Sequence, residues 1–523
     1  MDRRTFLTGG ATALTALTGC GAGGGDLARP GPSGPGTGSG AVSRPAAART
    51  ASARAAAGWG ALARDLDGTL VRPGEAAWTS ARRLYNTRFD TLRPAAVAYA
   101  AHPADIRTLL AFARARRIKV AIRNGGHSYA GYSSGDGRLI VDVSALNRVS
   151  VSGGQAEVGA GAKLIDVYRT LAAKGVTIPA GSCPTVGISG LALGGGHGVA
   201  SRAYGLTCDN LTQATLVTAD GRTLTADAHE NADLFWALRG AGNGNFGVVT
   251  GLRFTTHPAP QAVTASLRWP WARAAAVLRA WQEWGPAQPD EIWSALHLER
   301  DRGRAPTVSL SCFSLGSRDD LENAVDRLAH RAGADASAVT VRRRGYEEAM
   351  EVYAGCSAFA TDARCHLPGT TPGRSPSGAL GRETYAARSG FFDRSLPEAG
   401  VATLLKRVAA MSGGAGSVAL TALGGAVNRV SPTATAFVHR RSRMLAQYLA
   451  SWEAGTSGTA ARSWLDSAHT AMRPYASGAA YQNYTDAALT DWRRAYYGDA
   501  GTRLVEVKRR YDPDRFFGYA QGL

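Results

Sequence analysis

Residues 181–198 read GSCPTVGISGLALGGGHG, and the meaning of that stretch decides the meaning of the rest. So many glycines in one segment cost backbone entropy in any helix or strand, which argues for close approach of the backbone to a large flat or charged ligand. Gly187, Gly190, Gly195, Gly196 and Gly198 are the positions where that approach is expected, with Thr185 and Val186 just before them. Cys183 sits at the head of the run. A solitary cysteine most often ends as a small buried apolar residue, so Cys183 by itself says little.

Upstream, Arg123-Asn124-Gly125-Gly126-His127-Ser128 follows a strand-like run directly. Paired glycines let successive backbone N–H groups point at an anion, and a pyrophosphate suits such a loop. A tight turn carrying an exposed histidine is the competing reading. Downstream, Gly242-Asn243-Gly244-Asn245-Phe246-Gly247 matches GxGxxG, but a helical pattern (Asp233 to Arg239) precedes it and a strand (Val248 to Phe254) follows. A dinucleotide loop of the Rossmann type needs strand first and helix second. That reading is rejected.

Around these clusters the chain alternates strand and helix patterns. Val97 to Ala100, Lys119 to Ile122, Leu139 to Val143, Arg148 to Val151 and Gln155 to Gly159 read as strands, with helices at Ala104 to Arg116 and Lys163 to Lys174. Strands outnumber helices too strongly for a simple βαβ repeat, so an α+β fold is expected. After about Pro258 longer helices (Trp271 to Trp284, Asp319 to Ala332) are separated by strand-like runs such as Thr307–Phe313 and Val418–Leu423. With 523 residues the chain exceeds the usual domain size of about 100–200 residues. The expected division is 76–258, then 259–475, then a segment at 476–523. That last segment holds a strand-like Tyr481-Gln482-Asn483-Tyr484, helices at Thr490 to Tyr497 and Gly501 to Tyr511, and the stop Asp512-Pro513.

The formal charge of +18 comes from scattered arginines and lysines without a basic run or nucleic-acid motif, so nucleic acid is not an expected partner. The six cysteines include no CxxC pair and no zinc spacing, so no metal site is expected. At the N-terminus, Arg3-Arg4 precedes a weakly apolar run from Leu7 to Leu17, which matches a twin-arginine (Tat) export signal and is too short for a span of about 20 residues. Leu17-Thr18-Gly19-Cys20 resembles a lipobox, which makes residues 1–20 a lipoprotein signal and Cys20 the site of a lipid anchor, the expected membrane contact. Residues 21–75, richest in Gly, Pro, Ala and Ser as far as Ala57, read as a flexible tether. The protein is therefore expected outside the cytoplasm, secreted or held on the outer face of the membrane.

The ordered series RNGGHSYAG, GSCPTVGISGLALGGGHG, DLFWALRGAGNGNFGVVT, YQNYTD and YDPDRFF resembles the berberine bridge enzyme-like family of FAD-linked oxidases over roughly Arg93 to Leu523. The resemblance implies a two-domain α+β fold: an FAD-binding domain of the vanillyl-alcohol-oxidase type, built from the N-terminal half and the C-terminal tail, around an α+β substrate domain. It implies FAD bonded covalently at His127 and at Cys183. Further cofactor contacts are implied at Arg123, Asn124, Gly125, Gly126, Ser128, Thr185, Val186, Gly187, Gly190, Gly195, Gly196, Gly198, Val249 and Asn483.

Oxidation of an alcohol removes an O–H proton as the C–H hydride leaves, so a base is needed beside the ring. The resemblance offers Tyr481 and Tyr484. A phenol with a pKa of about 10 needs help to act as one; Tyr484 is read as the base and Tyr481 as pocket lining, with Arg388 as the candidate positive neighbour. Val186, three residues after the linking cysteine, implies reoxidation by O2 to give H2O2. A sugar, oligosaccharide or glycoside is the first expected substrate, with Trp271, Trp281, Trp284 and Trp293 offering stacking surface. An aromatic natural product is the second, and a non-catalytic ligand-binding lipoprotein the third reading. Cys356 and Cys365, in an exported protein, suit a disulfide.

Overall fold

The computed structural model describes residues 58–523. The export signal, the lipobox cysteine and most of the expected tether lie outside the described residues. The tether's last part is corrected: residues 58–64 are helical, and Thr69–Val71 is a strand paired antiparallel to Ala96–Tyr99. Trp59 and Leu62, three apart on that helix, are both buried in the main core; the surrounding alanines and glycines had hidden so short an apolar stripe. Among the described residues no helix is long and apolar enough to cross a membrane.

Two sheets carry the N-terminal half. The first has four strands in the order Thr69–Val71, Ala96–Tyr99, Leu139–Asp142, Val120–Arg123, the last three mutually parallel. Helix Pro103–Arg116 makes the crossover. Proline at its first turn lacks a donor that would be unpaired there anyway, and Ile106, Leu109, Leu110 and Ala113 form its buried stripe. Asp105 in the same turn accepts backbone N–H bonds from Gly68 and Ala101, pinning the helix to the first strand. The second sheet has five antiparallel strands in the order Val149–Ser152, Gln155–Gly159, Val248–Thr255, Leu211–Val217, Thr223–Asp227. The GxGxxG stretch does fall between helix Ala232–Ala241 and strand Val248–Thr255.

Residues 262–451 build a seven-stranded antiparallel sheet in the order Ala338–Arg344, Ala262–Trp269, Thr307–Ser314, Ile292–Arg300, Ala415–Ala422, Met444–Ser451, Tyr385–Phe392. Side chains alternate across a strand, and the alternation here divides two jobs. Leu296, Leu298, Val418, Leu420, Ala446 and Tyr448 pack against helices Ala274–Trp284, Arg318–Ala332, Glu398–Ala409 and Thr459–Met472 in a second core. The residues between them face the other way, toward the glycine-rich loops.

The chain then returns to the first core, where Ala480, Tyr496, Tyr497, Leu504, Val507 and Phe517 are buried. Its anchor is the YDPDRFF motif: Asp512 accepts from the backbone of Phe516 and Phe517 and from Lys508 Nζ at 2.7 Å, all inside the protein. One expected element is replaced. Tyr481–Tyr484 is not a strand, because Gln482–Tyr484 forms a single 3-10 turn.

Candidate active site

A cavity of about 300 Å³ lies between the glycine-rich loops, the returning tail and the open face of the seven-stranded sheet. Asn124, Gly125, Gly126, His127, Ser128, Cys183, Val186, Gly187, Gly190, Gly198, Val249, Tyr481, Asn483 and Tyr484 all line it. Four segments distant in sequence thus converge on one wall.

Not every expected contact is on that wall. Arg123 is buried behind it, its Nε paired with Asp142. Thr185 stands behind His127 and shares a hydrogen bond with it. Gly195 and Gly196 touch other side chains instead of the cavity, since a Cβ there would meet Phe437 and Thr207. The crowding of glycines also has a different cause from the one expected. A Cβ on Gly125 would lie 2.4 Å from the carbonyl of Thr185, so the two loops touch through bare backbone. Gly190, by contrast, has nothing within 4 Å of its missing Cβ and faces open space as the ligand argument requires.

The two loops are fastened by a buried polar clamp. Asn124 Nδ2 donates to the carbonyl of Ala160 at 2.5 Å and to Ser189 Oγ at 3.3 Å, while its Oδ1 accepts from Lys163 Nζ. Lys163 also donates to Ser144 Oγ and to the carbonyl of Gly161. Burial draws its amine down to about 8. His127 is stacked on Tyr85, ring centroids 4.0 Å apart, with Nε2 2.8 Å from Thr185 Oγ1. Burial, then the nearby Lys163, lowers its pKa to about 3, so the imidazole is neutral at pH 7 with a ring nitrogen lone pair for bonding. Cys183 is disulfide-bonded in the structure.

Replacing the expected strand by a 3-10 turn alters the tyrosine pair. Residues three apart eclipse on such a turn, so Tyr481 and Tyr484 stand edge to face with centroids 5.0 Å apart instead of on opposite faces. The Tyr481 hydroxyl accepts from the Gly196 N–H and from Asn483 Nδ2, each at 2.8 Å. Tyr484 OH lies 2.8 Å from His197 Nε2, and its ring stacks on Tyr129 at 5.1 Å. Burial pushes both phenols upward, and the two donors on Tyr481 pull it partly back. The positive neighbour expected at Arg388 is elsewhere: its guanidinium is held by Asp466 at 2.7 Å and Asp486 at 3.3 Å.

The sheet supplies the facing wall through Trp293, Ala295, His297, Ala419, Thr421 and Gln447. Of the four tryptophans expected to offer stacking surface, Trp293 lines the cavity. Trp281 and Trp284 are buried in the second core, their indole N–H groups donating to Ser294 Oγ and the Ala324 carbonyl, and Trp271 packs against the same core. Cys356 and Cys365 are joined, as expected, with Cα atoms 5.6 Å apart.

Sequence reading missed His197, Tyr129, His297 and Gln447. His197 was inside the quoted run, but its partner lies 287 residues away; the strand residues show only an alternation whose polar members carry no motif.

Five buried polar atoms on the cavity lining lack any partner among the described residues: Ser133 Oγ, His197 Nδ1, Asn243 Oδ1, His297 Nε2 and Gln482 Oε1. Buried polar groups are rarely left so unless a ligand or water satisfies them. Beside them Val120, Ala121, Ile122, Leu164 and Val199 give an apolar floor. A flat apolar ring system edged with hydrogen-bonding groups, joined to a dinucleotide tail, is what such a lining accommodates, and FAD has that form.

Comparison with known proteins agrees. The family model described as FAD binding domain matches residues 94–227, and that described as Berberine and berberine like matches residues 480–523. The FAD-linked oxidoreductase YgaK of Bacillus subtilis is 31% identical over 467 residues, covering 88% of this chain and 97% of its own. The chitooligosaccharide oxidase of Gibberella zeae is 29% identical, covering 86% of this chain and 91% of its own. The solved structure of wild-type BBE-like 1 from Physcomitrella patens superimposes with a TM-score of 0.80 at 30% identity, covering 89% of this chain and 98% of that one. Fold and site together define an FAD-linked oxidoreductase. The chain belongs to the berberine bridge enzyme-like family of FAD-linked oxidases.

Proposed function

We propose that this protein is a carbohydrate oxidase that holds FAD covalently at His127 and Cys183, oxidises a CH–OH group of a sugar, oligosaccharide or glycoside, and returns the electrons to O2 as H2O2. The observation that carries the substrate class is the sheet wall. His297 Nε2 is buried without a partner, and Gln447, which donates to Tyr129 OH at 2.7 Å, and Thr421 stand on neighbouring strands beside the ring of Trp293. Hydroxyl-binding groups beside an aromatic face suit a sugar. The likeness to a chitooligosaccharide oxidase supports the same class.

When bound, FAD supplies the hydride acceptor. The chain's residues do the rest. Tyr484, with Tyr481 beside it, takes the substrate's hydroxyl proton; the sheet wall orients the sugar; the neutral imidazole of His127 and the thiolate of Cys183 tether the cofactor. A flavin bond and a disulfide are alternatives at the one sulfur of Cys183, so the second tether belongs to the form in which that disulfide is open. Val186, on the cavity wall, supports oxygen as acceptor. Export by the Tat route, with lipid attachment at Cys20, completes the reading and places the enzyme outside the cytoplasm.

The test is an anaerobic flavin-bleaching screen across mono- and oligosaccharides, glycosides and aromatic alcohols, followed by a peroxide assay. Bleaching by sugars with peroxide in air supports the proposal. Bleaching by polycyclic or aromatic compounds alone replaces it with natural-product tailoring, for which the aromatic lining of Tyr129, Tyr385 and Trp293 gives a footing.

A further inference from the structure

Tyr484 has a hydrogen-bonding partner on the cavity wall. His197 Nε2 lies 2.8 Å from the phenol oxygen, and the imidazole projects into the cavity from the end of the glycine run. Its second nitrogen, Nδ1, is buried with no partner. The rings meet edge to face, 5.7 Å between centroids. This is the geometry of a short proton path: phenol, then imidazole, each within hydrogen-bond reach of the next.

The other described groups beside the phenols do not provide the same service. Arg388 is occupied by two aspartates, and the Tyr481 oxygen accepts from two N–H donors that have no lone pair to take a proton. The titratable groups around His197 are the phenols of Tyr481 and Tyr484, with Tyr129 stacked beyond Tyr484 and the Cys208 thiol behind Tyr481. Among the described residues no charged side chain acts on it; burial holds its pKa at about 4. The imidazole is therefore neutral over the physiological range and open to a proton.

We propose that His197 is the proton acceptor behind Tyr484, a positioning residue that lets a neutral phenol serve as base. The inference rests on the oxidase reading above. As the substrate's C–H bond breaks and its hydride passes to the bound flavin, the substrate's O–H proton moves to the Tyr484 oxygen. The proton originally on that oxygen moves to His197 Nε2. The substrate leaves as a carbonyl compound, two electrons and one proton rest on the flavin side as hydride, and one proton rests on the imidazole until solvent removes it. Tyr484 never needs to be a free phenolate, which explains how a phenol in a site without a cationic neighbour can act as base.

The experiment uses flavin-loaded protein and the variants His197→Gln, His197→Asn and Tyr484→Phe. With any compound that bleaches the wild type, the anaerobic bleaching rate should fall as acid protonates the imidazole. In both His197 variants the rate should drop by about 10²-fold or more, the acid limb should vanish, and flavin content should stay at the wild-type level. Wild-type rate and an intact acid limb in both would overturn the proposal. A second arm needs no substrate: in protein carrying isotope-labelled histidine, the imidazole resonance absent from His197→Gln or His197→Asn should change its titration midpoint in Tyr484→Phe. An unmoved midpoint overturns the pairing. If nothing bleaches the wild type, the oxidase reading fails on its own, and the titration still decides whether His197 and Tyr484 are coupled.

Discussion

The two walls of the cavity are built on opposite plans. On the loop and tail side the side chains that fasten the backbone are paired, Asn124 with Lys163 and Ser189, Asn483 with Leu191 and Tyr481, while Ser133, His197, Asn243 and Gln482 each keep a buried polar atom without a partner. On the sheet side His297 has an imidazole nitrogen with no partner, and the polar groups stand on strands whose opposite faces are ordinary core. The loop wall braces its own backbone and still presents several polar atoms along its length; the sheet wall presents one unpaired nitrogen, at His297, on a rigid strand. A constant cofactor suits the first, and a substrate that differs among relatives suits the second.

That contrast can be broken most sharply from the loop side. Replacing His127 and Cys183 together by alanine should release all flavin to the supernatant on acid precipitation, while either single variant should keep its colour in the pellet. Mass spectrometry of the flavin peptides checks which residue carries the bond. Next, Tyr484→Phe should lower the bleaching rate by about 10²- to 10⁴-fold, with a smaller loss in Tyr481→Phe, whose hydroxyl accepts two hydrogen bonds and has no proton acceptor beside it.

Acid should then weaken the fold itself. His127, His197, His297 and His439 are held neutral by burial at about 3 to 4, below the unfolded value of about 6.5. The unfolded chain therefore binds protons that the folded one refuses, so stability is full above about pH 6.5 and declines as pH falls toward 4. Thermal melts at stepped pH check this, and a melt unchanged between pH 7 and 5 would remove it. The smallest effect should come from the sheet wall: His297→Ala should raise KM by about 10-fold, the loss of one hydrogen bond to a bound group, with kcat and covalent flavin unchanged.

The same division governs what could be read from the chain. The loop wall was legible because its residues are contiguous: RNGGHS follows a strand-like run directly, GSCPTVG opens the long glycine-rich run, and most of both stretches line the cavity. What those glycines do was less legible, for Gly125 serves contact between loops, and only a map of neighbours shows that. The sheet wall was nearly silent. His297, Thr421 and Gln447 are single polar residues on buried strands, and nothing local separates them from satisfied core polars. Tyr481 and Tyr484 fell between: the residues were found, but the four-residue motif looked like a strand, and one turn of 3-10 helix changed opposite faces into neighbours. Arg388 failed because its aspartate partners lie up to 98 residues away in the chain.

Both tyrosines ride on the segment that rejoins the first core through Lys508 and Asp512. Without residues 480–523 in place the cavity lacks Tyr481 and Tyr484, and the phenols of Tyr85, Tyr129 and Tyr132 remain beside the loops. The buried Lys508–Asp512 pair, itself outside the cavity lining, is thereby a determinant of where the two phenols stand.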